Sequence, residues 1–278
     1  LEKIQCRKHP ISPYTVSQNV TKRKGTIYYH FNDTNKDFTV IYDTIFEDTR
    51  LPLPKWMLLI GMMLNAKMGI SSSEIARNLE ISYKTAWYCQ MRVRCAMIQP
   101  DMKLSGLVEM DETYIKAKRK SKNKQLNTPN LSQLSSKRGR GTPQASVVGI
   151  VEKNGQVTTK VINKLSTRNL LSMLKRYVKM DDSTVITDGF RAYKKLDDHV
   201  EHIMLTHEQQ RKRKGALNTN TIEGFFSIIK KGLKGNYVSI SRKYLPFYLV
   251  EFQYKYNLRH EEKDAFEKLL KRAVNTDK

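Results

Sequence analysis

A hairpin signal, followed at once by an amphipathic helix and a buried strand, is the pattern in this chain that leaves the fewest folds open. Residues 145–151 and 157–162 are β-branched, apolar runs that flank Asn154-Gly155, a dipeptide suited to the backbone of a tight hairpin turn. Residues 167–179 then repeat apolar side chains at helical spacing, with Leu170, Leu171, Leu174 and Val178 inward. Residues 184–187 form a short strand of buried type ending at Asp188-Gly189, and residues 202–205 a weaker one. Ahead of the hairpin, Leu107-Val108-Glu109-Met110-Asp111 has strand character. Behind it come two helices, 221–233 and 244–257, the latter with Leu245, Tyr248, Leu249, Phe252 and Tyr256 on its apolar face. Three strands, a helix, a strand, a weaker strand and closing helices are a mixed α/β order.

Charge narrows the partner. The chain holds 50 Lys+Arg against 27 Asp+Glu, a formal net charge of +23 at pH 7. A surplus of that size calls for an anionic partner, and a nucleic acid fits because neutralised phosphates release counterions. Residues 116–144 read as a basic loop, in which positions 116–140 carry nine Lys/Arg and no acid. Cys6, Cys89 and Cys95 are odd in number and lack framework spacing, which argues against a disulfide-stapled secreted fold. No apolar run reaches the roughly 18–20 residues of a membrane span. The chain opens on Leu1 rather than Met, with the expectation that a few residues precede it. An intracellular protein acting on nucleic acid, without membrane contact, is the class that remains.

Residues 1–50 read as a small β module, with short strands at 26–29 and 38–42 around the polar turn 32–36, closed by Pro52 and Pro54. Residues 51–103 read as helical. Trp56, Ile60 and Met63 share one helical face, and Ser71-Ser72-Ser73-Glu74 supplies a cap for the next helix. A turn at Glu80-Ile81-Ser82 leads to a helix from Tyr83 to about Met97 that carries Lys84, Gln90, Arg92 and Arg94. Ala76, Ile81 and Ala86 fit a helix-turn-helix whose second helix enters a major groove. The usual turn glycine is replaced near Glu80, and an ordinary αα-hairpin is the competing reading.

The chemistry lies in carboxylates. The strand and helix order of residues 104–260 is that of an RNase H-like domain, whose metal site draws acids from the first strand, the end of the fourth and a later helix. Asp111, Asp188 and Glu223 occupy those positions. Two hard cations held by such acids activate an attacking oxygen and stabilise a leaving one. Each acid also has a plain structural reading. Asp111 could be an edge charge, no different from Glu109 and Glu112; Asp188-Gly189 could be a turn; Glu223, three residues after Asn220, could partner a helix cap. In the helix that follows, Ile222, Phe226, Ile229 and Leu233 form the apolar face, with Glu223, Ser227, Lys230 and Lys234 in the polar stripe beside it. Glu223 and Lys230 are almost two turns apart and share a face, although Lys230 could equally be a solvated lysine.

These residues resemble the DDE transposases of bacterial insertion sequences, in the group related to the eukaryotic Merlin elements. The likeness runs over residues 26–259. It rests on Thr44-Ile45-Phe46-Glu47-Asp48, Leu53-Pro54-Lys55-Trp56, Thr85-Ala86-Trp87 and Glu109-Met110-Asp111-Glu112-Thr113-Tyr114. It continues in Thr187-Asp188-Gly189-Phe190-Arg191-Ala192-Tyr193, Asn220-Thr221-Ile222-Glu223-Gly224-Phe225-Phe226, Lys230, Gly235-Asn236-Tyr237 and Asn257-Leu258-Arg259. The resemblance implies a catalytic and metal-binding triad of Asp111, Asp188 and Glu223, with Lys230 as the accompanying basic residue and Asn220 as the rival to Glu223. His207 also resembles a histidine of the family core. Such families open with a zinc ribbon, and here the first knuckle reduces to Cys6 and His9, while Phe31 and Thr34 stand in the second. Structural zinc needs four ligands, so none is expected and the module is read as degenerate.

The implied activity is cutting at element ends and joining of 3′-hydroxyls to target DNA, with two Mg²⁺ or Mn²⁺ ions. Terminal repeats and target DNA are the partners, and synapsis implies a homo-oligomer. The compartment is the cytoplasm and nucleoid of a bacterium or the nucleus of a eukaryote. An RNase H-like resolvase and a decayed or domesticated DNA-binding copy are the alternatives. Residues 261–278 read as a C-terminal helical tail.

Overall fold

The computed structural model of the 278-residue chain describes residues 19–24, 28–39, 41–99, 102–117, 144–205 and 218–274. They divide into two units, residues 1–98 with 258–278, and residues 99–257. In the first, β1 (Val20–Lys22), β2 (Tyr28–Phe31) and β3 (Lys36–Thr39) pair antiparallel in that order. The expected polar turn joins β2 to β3, with Asn35 at φ 53. Tyr29, Phe31 and Phe38 pack into one buried cluster, so Phe31 serves as core where a second zinc knuckle would stand. Cys6 and His9 lie outside the described residues.

Helix α1 (Leu53–Asn65) buries Trp56, Leu59, Ile60 and Met63, and Phe46 meets the Trp56 ring edge-on at 5.2 Å between centroids. Ser71 caps α2 (Ser72–Leu79) by accepting the Glu74 amide, and Ser82 caps α3 (Tyr83–Ala96) by accepting that of Thr85. Between them Glu80 takes the left-handed conformation, φ 52 and ψ 51, at the position where a glycine is usual. The polar residues of α3 do not all face outward. Gln90 is buried, accepting from the Ser72 hydroxyl and donating to the Ile70 carbonyl. Arg94 is buried as well, and Arg92 donates to the carbonyls of Glu47 and Thr44. Lys84 is exposed, together with Tyr83 and Tyr88.

The second unit is built on five strands: β4 (Leu104–Ile115), β5 (Ala145–Glu152), β6 (Val157–Ile162), β7 (Val178–Asp188) and β8 (Glu201–Leu205). Their order is β6-β5-β4-β7-β8, with β5 antiparallel to both neighbours and β4, β7 and β8 mutually parallel. The first strand in the centre, an antiparallel pair on one side and a parallel pair on the other, is the RNase H-like arrangement. The Asn154-Gly155 hairpin forms, with Asn154 at φ 61 and the Gly155 amide bonded to the Glu152 carbonyl. Helix α4 (Thr167–Tyr177) joins β6 to β7 and ends before Val178, which is buried in the strand rather than on the helix. Helices α5 (Asn220–Gly235) and α6 (Leu245–Asn257) follow. The last helix, α7 (Glu262–Val274), belongs to the first unit, where the Ala273 carbonyl accepts the Ile45 amide. Among the described residues no helix is long and apolar enough to cross a membrane.

Strand periodicity sorts the central sheet into two faces. Val108, Met110, Val148, Ile150 and Val185 pack with Leu170, Met173 and Leu174 of α4. The alternate positions of β4 and β5 face α5, which lies so close that a Cβ on Gly149 would sit 2.6 Å from Ile222 Cδ1 and 2.9 Å from Phe226 Cζ. Gly149 pairs with Asp111 across the β4–β5 ladder, so the glycine leaves room for α5 beside that acid. Gly149→Val overpacks the contact and is expected to destabilise the chain by about 1–3 kcal/mol, measurable as a lower thermal midpoint.

Candidate active site

Two neighbouring strands bring the first two acids together. Met110 of β4 is in register with Thr187 of the parallel strand β7, so Asp111 and Asp188, one residue on in each strand, emerge side by side. Carboxylate oxygens of Asp111, Glu112 and Asp188 lie within 4.8 Å of one another, the one such cluster of three among the described residues. Local bonds orient each. Asp111 accepts the Glu112 amide at 2.7 Å, and Asp188 accepts that of Phe190 at 3.1 Å. The Tyr193 hydroxyl donates to Glu112 at 2.7 Å from within the core. Behind Asp188, Thr187 donates to the Asp188 carbonyl and meets His202 Nε2 at 2.8 Å, while His202 Nδ1 meets Asp197.

Glu223 reaches the site through α5, and a residue given no role by the sequence reading sets that helix. Glu109, wholly buried, lies on the same face of β4 as Asp111. Its carboxylate accepts the Ile222 amide at 2.9 Å and the Thr221 hydroxyl at 2.7 Å, and Lys153 approaches at 3.4 Å. An acid from another strand thus caps the helix, where the orphan amides and the macrodipole favour negative charge. Thr219, the residue preceding the helix, makes no side-chain cap; its hydroxyl donates to Glu223 at 3.0 Å. Glu223 is therefore not a capping partner of Asn220. It is exposed on the stripe with Ser227, Lys230 and Lys234, while Ile222, Phe225, Phe226, Ile229 and Leu233 are buried. Glu223 stays outside the 4.8 Å cluster yet close enough for its charge to act on Asp111. Asn220 is exposed in the first turn. His207, Arg211–Lys214 and positions 118–143 of the basic loop lie outside the described residues.

Burial drives Asp111 from an ordinary 3.8 up to about 7, against the Glu112 amide bond, and the charges of Glu112, Asp188 and Glu223 push the same way. Burial and the Glu112 carboxylate likewise raise the Tyr193 phenol well above its ordinary value. Hard oxygen donors crowded together and repelling one another fit a divalent cation, whose charge would relieve that repulsion. The period-two spacing of Glu109 and Asp111 was a visible signal for Glu109; the Glu112–Tyr193 bond had no comparable one.

Residues 103–257 match the family of ISXO2-like transposase domains, nearly the whole of the 99–257 unit. An uncharacterized protein in the transposable element ISH50 of Halobacterium salinarum is 29% identical over 252 residues, 88% of this chain and 84% of that protein. Among solved structures, a pre-cleavage Mos1 transpososome gives a TM-score of 0.29 at 10% identity, over 84% of this chain and 82% of that one. The simian T-cell lymphotropic virus intasome in complex with PP2A regulatory subunit B56 gamma gives 0.31 at 12%, over 71% and 65%. At such scores the fold assignment rests on the strand order itself.

Two outcomes follow from the geometry. Between its ordinary value and about 7, Asp111 holds its proton more tightly in the folded chain than in the unfolded one. Stability of the metal-free protein therefore falls as pH rises through that window. Asp111→Asn keeps the oxygen that accepts the Glu112 amide and removes the penalty; metal-free, it should melt above wild type at about pH 8 and converge with it near about pH 4. Glu109→Ala orphans the Ile222 amide and the Thr221 hydroxyl, and is expected to cost on the order of 3 kcal/mol in denaturant titration.

Proposed function

The chain belongs to the ISXO2-like transposase family, which it matches over residues 103–257, and on that premise we propose that it cuts DNA at the ends of its element and joins the 3′-hydroxyls to target DNA. The observation that carries this reading is the convergence on Asp111 of Asp188 from the adjacent parallel strand and Glu223 from the helix docked on Glu109. Asp111, Asp188 and Glu223 would hold two Mg²⁺ or Mn²⁺ ions. Such ions, when bound, supply Lewis-acid charge to the attacking and leaving oxygens of an in-line displacement. Glu223 is preferred over Asn220 because a carboxylate is the better ligand for a hard cation and because its charge reaches Asp111.

The remaining residues bind and orient. Lys230 and Lys234, exposed in line with Glu223, are suited to DNA phosphates on the approach to the carboxylates. The net charge of +23 supports DNA as the partner, with the basic loop 116–144 and Arg211–Lys214 gripping its backbone. The helix-turn-helix region, residues 51–103, would read terminal repeats through the exposed Tyr83, Lys84 and Tyr88 at the start of α3, rather than through Gln90 or Arg94. Holding two element ends together calls for more than one copy of the chain, working inside the cell where its DNA lies.

The test is metal-dependent joining of labelled element-end DNA into a plasmid. Asp111→Asn and Glu223→Gln should each lose product by roughly 100-fold or more, with DNA binding retained. A well-folded wild type that binds these ends yet neither cuts nor joins would favour a decayed DNA-binding copy. Activity confined to branched DNA would favour a resolvase.

A further inference from the structure

The strand that carries Asp111 outruns its neighbour. The last pair of β4 with β7 joins Met110 to Thr187, and β7 ends at Asp188, whereas β4 continues to Ile115 along β5. Counting on from that pair, Asp111 stands level with Asp188, and Glu112 is the first residue of β4 beyond it. Successive side chains of a strand point to opposite faces. Glu112 therefore belongs with Val108 and Met110 on the α4 side, not with Glu109 and Asp111 on the α5 side. A carboxylate oxygen of Glu112 nevertheless lies within 4.8 Å of those of Asp111 and Asp188. That approach is possible because β7 has ended there.

The chain leaving β7 supplies the hold. The Phe190 amide donates to Asp188 and the Tyr193 amide to the Phe190 carbonyl at 3.0 Å, and the two rings meet edge-on at 5.6 Å between centroids. This turn sets Tyr193 at zero exposure in the core on the α4 side, from which its hydroxyl donates to Glu112 Oε2 at 2.7 Å. One turn thus orients Asp188 directly and Glu112 through Tyr193.

A buried phenol needs an acceptor, but it does not need a carboxylate. Glutamine at position 112 would accept the same bond through its amide oxygen and spare the chain a third like charge beside Asp111 and Asp188. What a carboxylate adds over an amide is charge and affinity for a hard cation. The phenol takes one of its roughly four lone-pair sites. Asp111, Glu112 and Asp188 are each half-buried, so none is sealed from an ion arriving from solvent.

We propose that Glu112 is a fourth acid of the metal site, holding a cation from the α4 side of the sheet as Glu223 does from the α5 side, and that Tyr193 is the positioning residue that aims it. Both assignments rest on the metal-dependent reading of Asp111, Asp188 and Glu223. A fourth carboxylate adds oxygens where two cations would otherwise share those of three acids.

The test is Mn²⁺ binding by the full chain without DNA, followed by the paramagnetic resonance signal of the free ion. Glu112→Gln keeps the acceptor for Tyr193; metal-free, it should melt at or above the wild-type temperature, yet bind Mn²⁺ roughly tenfold or more weaker. Tyr193→Phe, which keeps the ring and loses the hydroxyl, should weaken Mn²⁺ binding about tenfold. The double variant should bind no more weakly than Glu112→Gln, since Tyr193 acts through Glu112. Wild-type affinity in Glu112→Gln, with Asp188→Asn impaired, would overturn the fourth ligand and leave the other three acids standing. Unchanged Mn²⁺ affinity in Tyr193→Phe, or a full further loss in the double variant, would overturn the positioning role. Failure of the wild type to bind Mn²⁺ would overturn the metal reading itself.

Discussion

A buried carboxylate, Glu109, holds the arrangement of acids on β4, β7 and α5 together. Glu109 sits at zero exposure in the central strand, where an unpaired ionised acid would be prohibitive. It is tolerated because α5 brings a backbone amide and a hydroxyl to it and the turn after β5 brings Lys153. The bargain runs both ways: the helix gains a cap that Thr219 does not provide, and its start becomes fixed against one position on β4. Because side chains alternate along a strand, the residue two positions on, Asp111, faces the same helix. Gly149, opposite Asp111, removes the side chain that would hold that helix away. Glu223 therefore approaches the Asp111–Asp188 pair as a consequence of how Glu109 is satisfied.

Much of this scaffold was legible because its signals are local. The β-branched runs around Asn154-Gly155 formed the expected hairpin, and the apolar stripe Ile222, Phe226, Ile229 and Leu233 is the buried face of α5. Asp111 and Asp188 stood out because they fall on the first strand and at the end of the fourth, in the expected order. What escaped depended on partners far away in sequence. Val178 continued the helical period of residues 167–177, and only its pairing with Leu104 draws it into β7. Gln90 looked like a solvent-facing residue of a recognition helix, whereas Ser72, 18 positions earlier, and the Ile70 carbonyl satisfy it in the interior. Glu109 shares the period of Asp111, but the amide that explains it is 113 residues away. Glu112 and Tyr193, 81 positions apart, meet only once β7 lies beside β4.

Three acids of this basic chain are crowded together among the described residues, and that crowding is informative. A chain with a net charge of +23 could disperse the repulsion among its carboxylates by setting lysines between them. Instead Asp111, Glu112 and Asp188 are packed together with Glu223 near by, and the first of them is pushed to about 7. Lys153 lies 3.4 Å from the Glu109 carboxylate. Fold stability alone would favour the opposite allocation, since like charges in a partly buried site weaken the folded state. A site kept negative inside a positive protein suits one sequence of events. Surface cations collect a polyanion from a distance, and the local acids reserve a place for a small cation that the surface lysines would repel.

Asp111 sits where its own physical chemistry objects, a carboxylate among carboxylates, and is fixed there by strand register and the Glu112 amide. Strain of this kind persists only where the surroundings over-determine it, and it concentrates where a protein meets its substrate. The helix that carries Glu223 toward this place is the one that Glu109 caps, so the bond that satisfies one buried acid also sets how near another comes to Asp111.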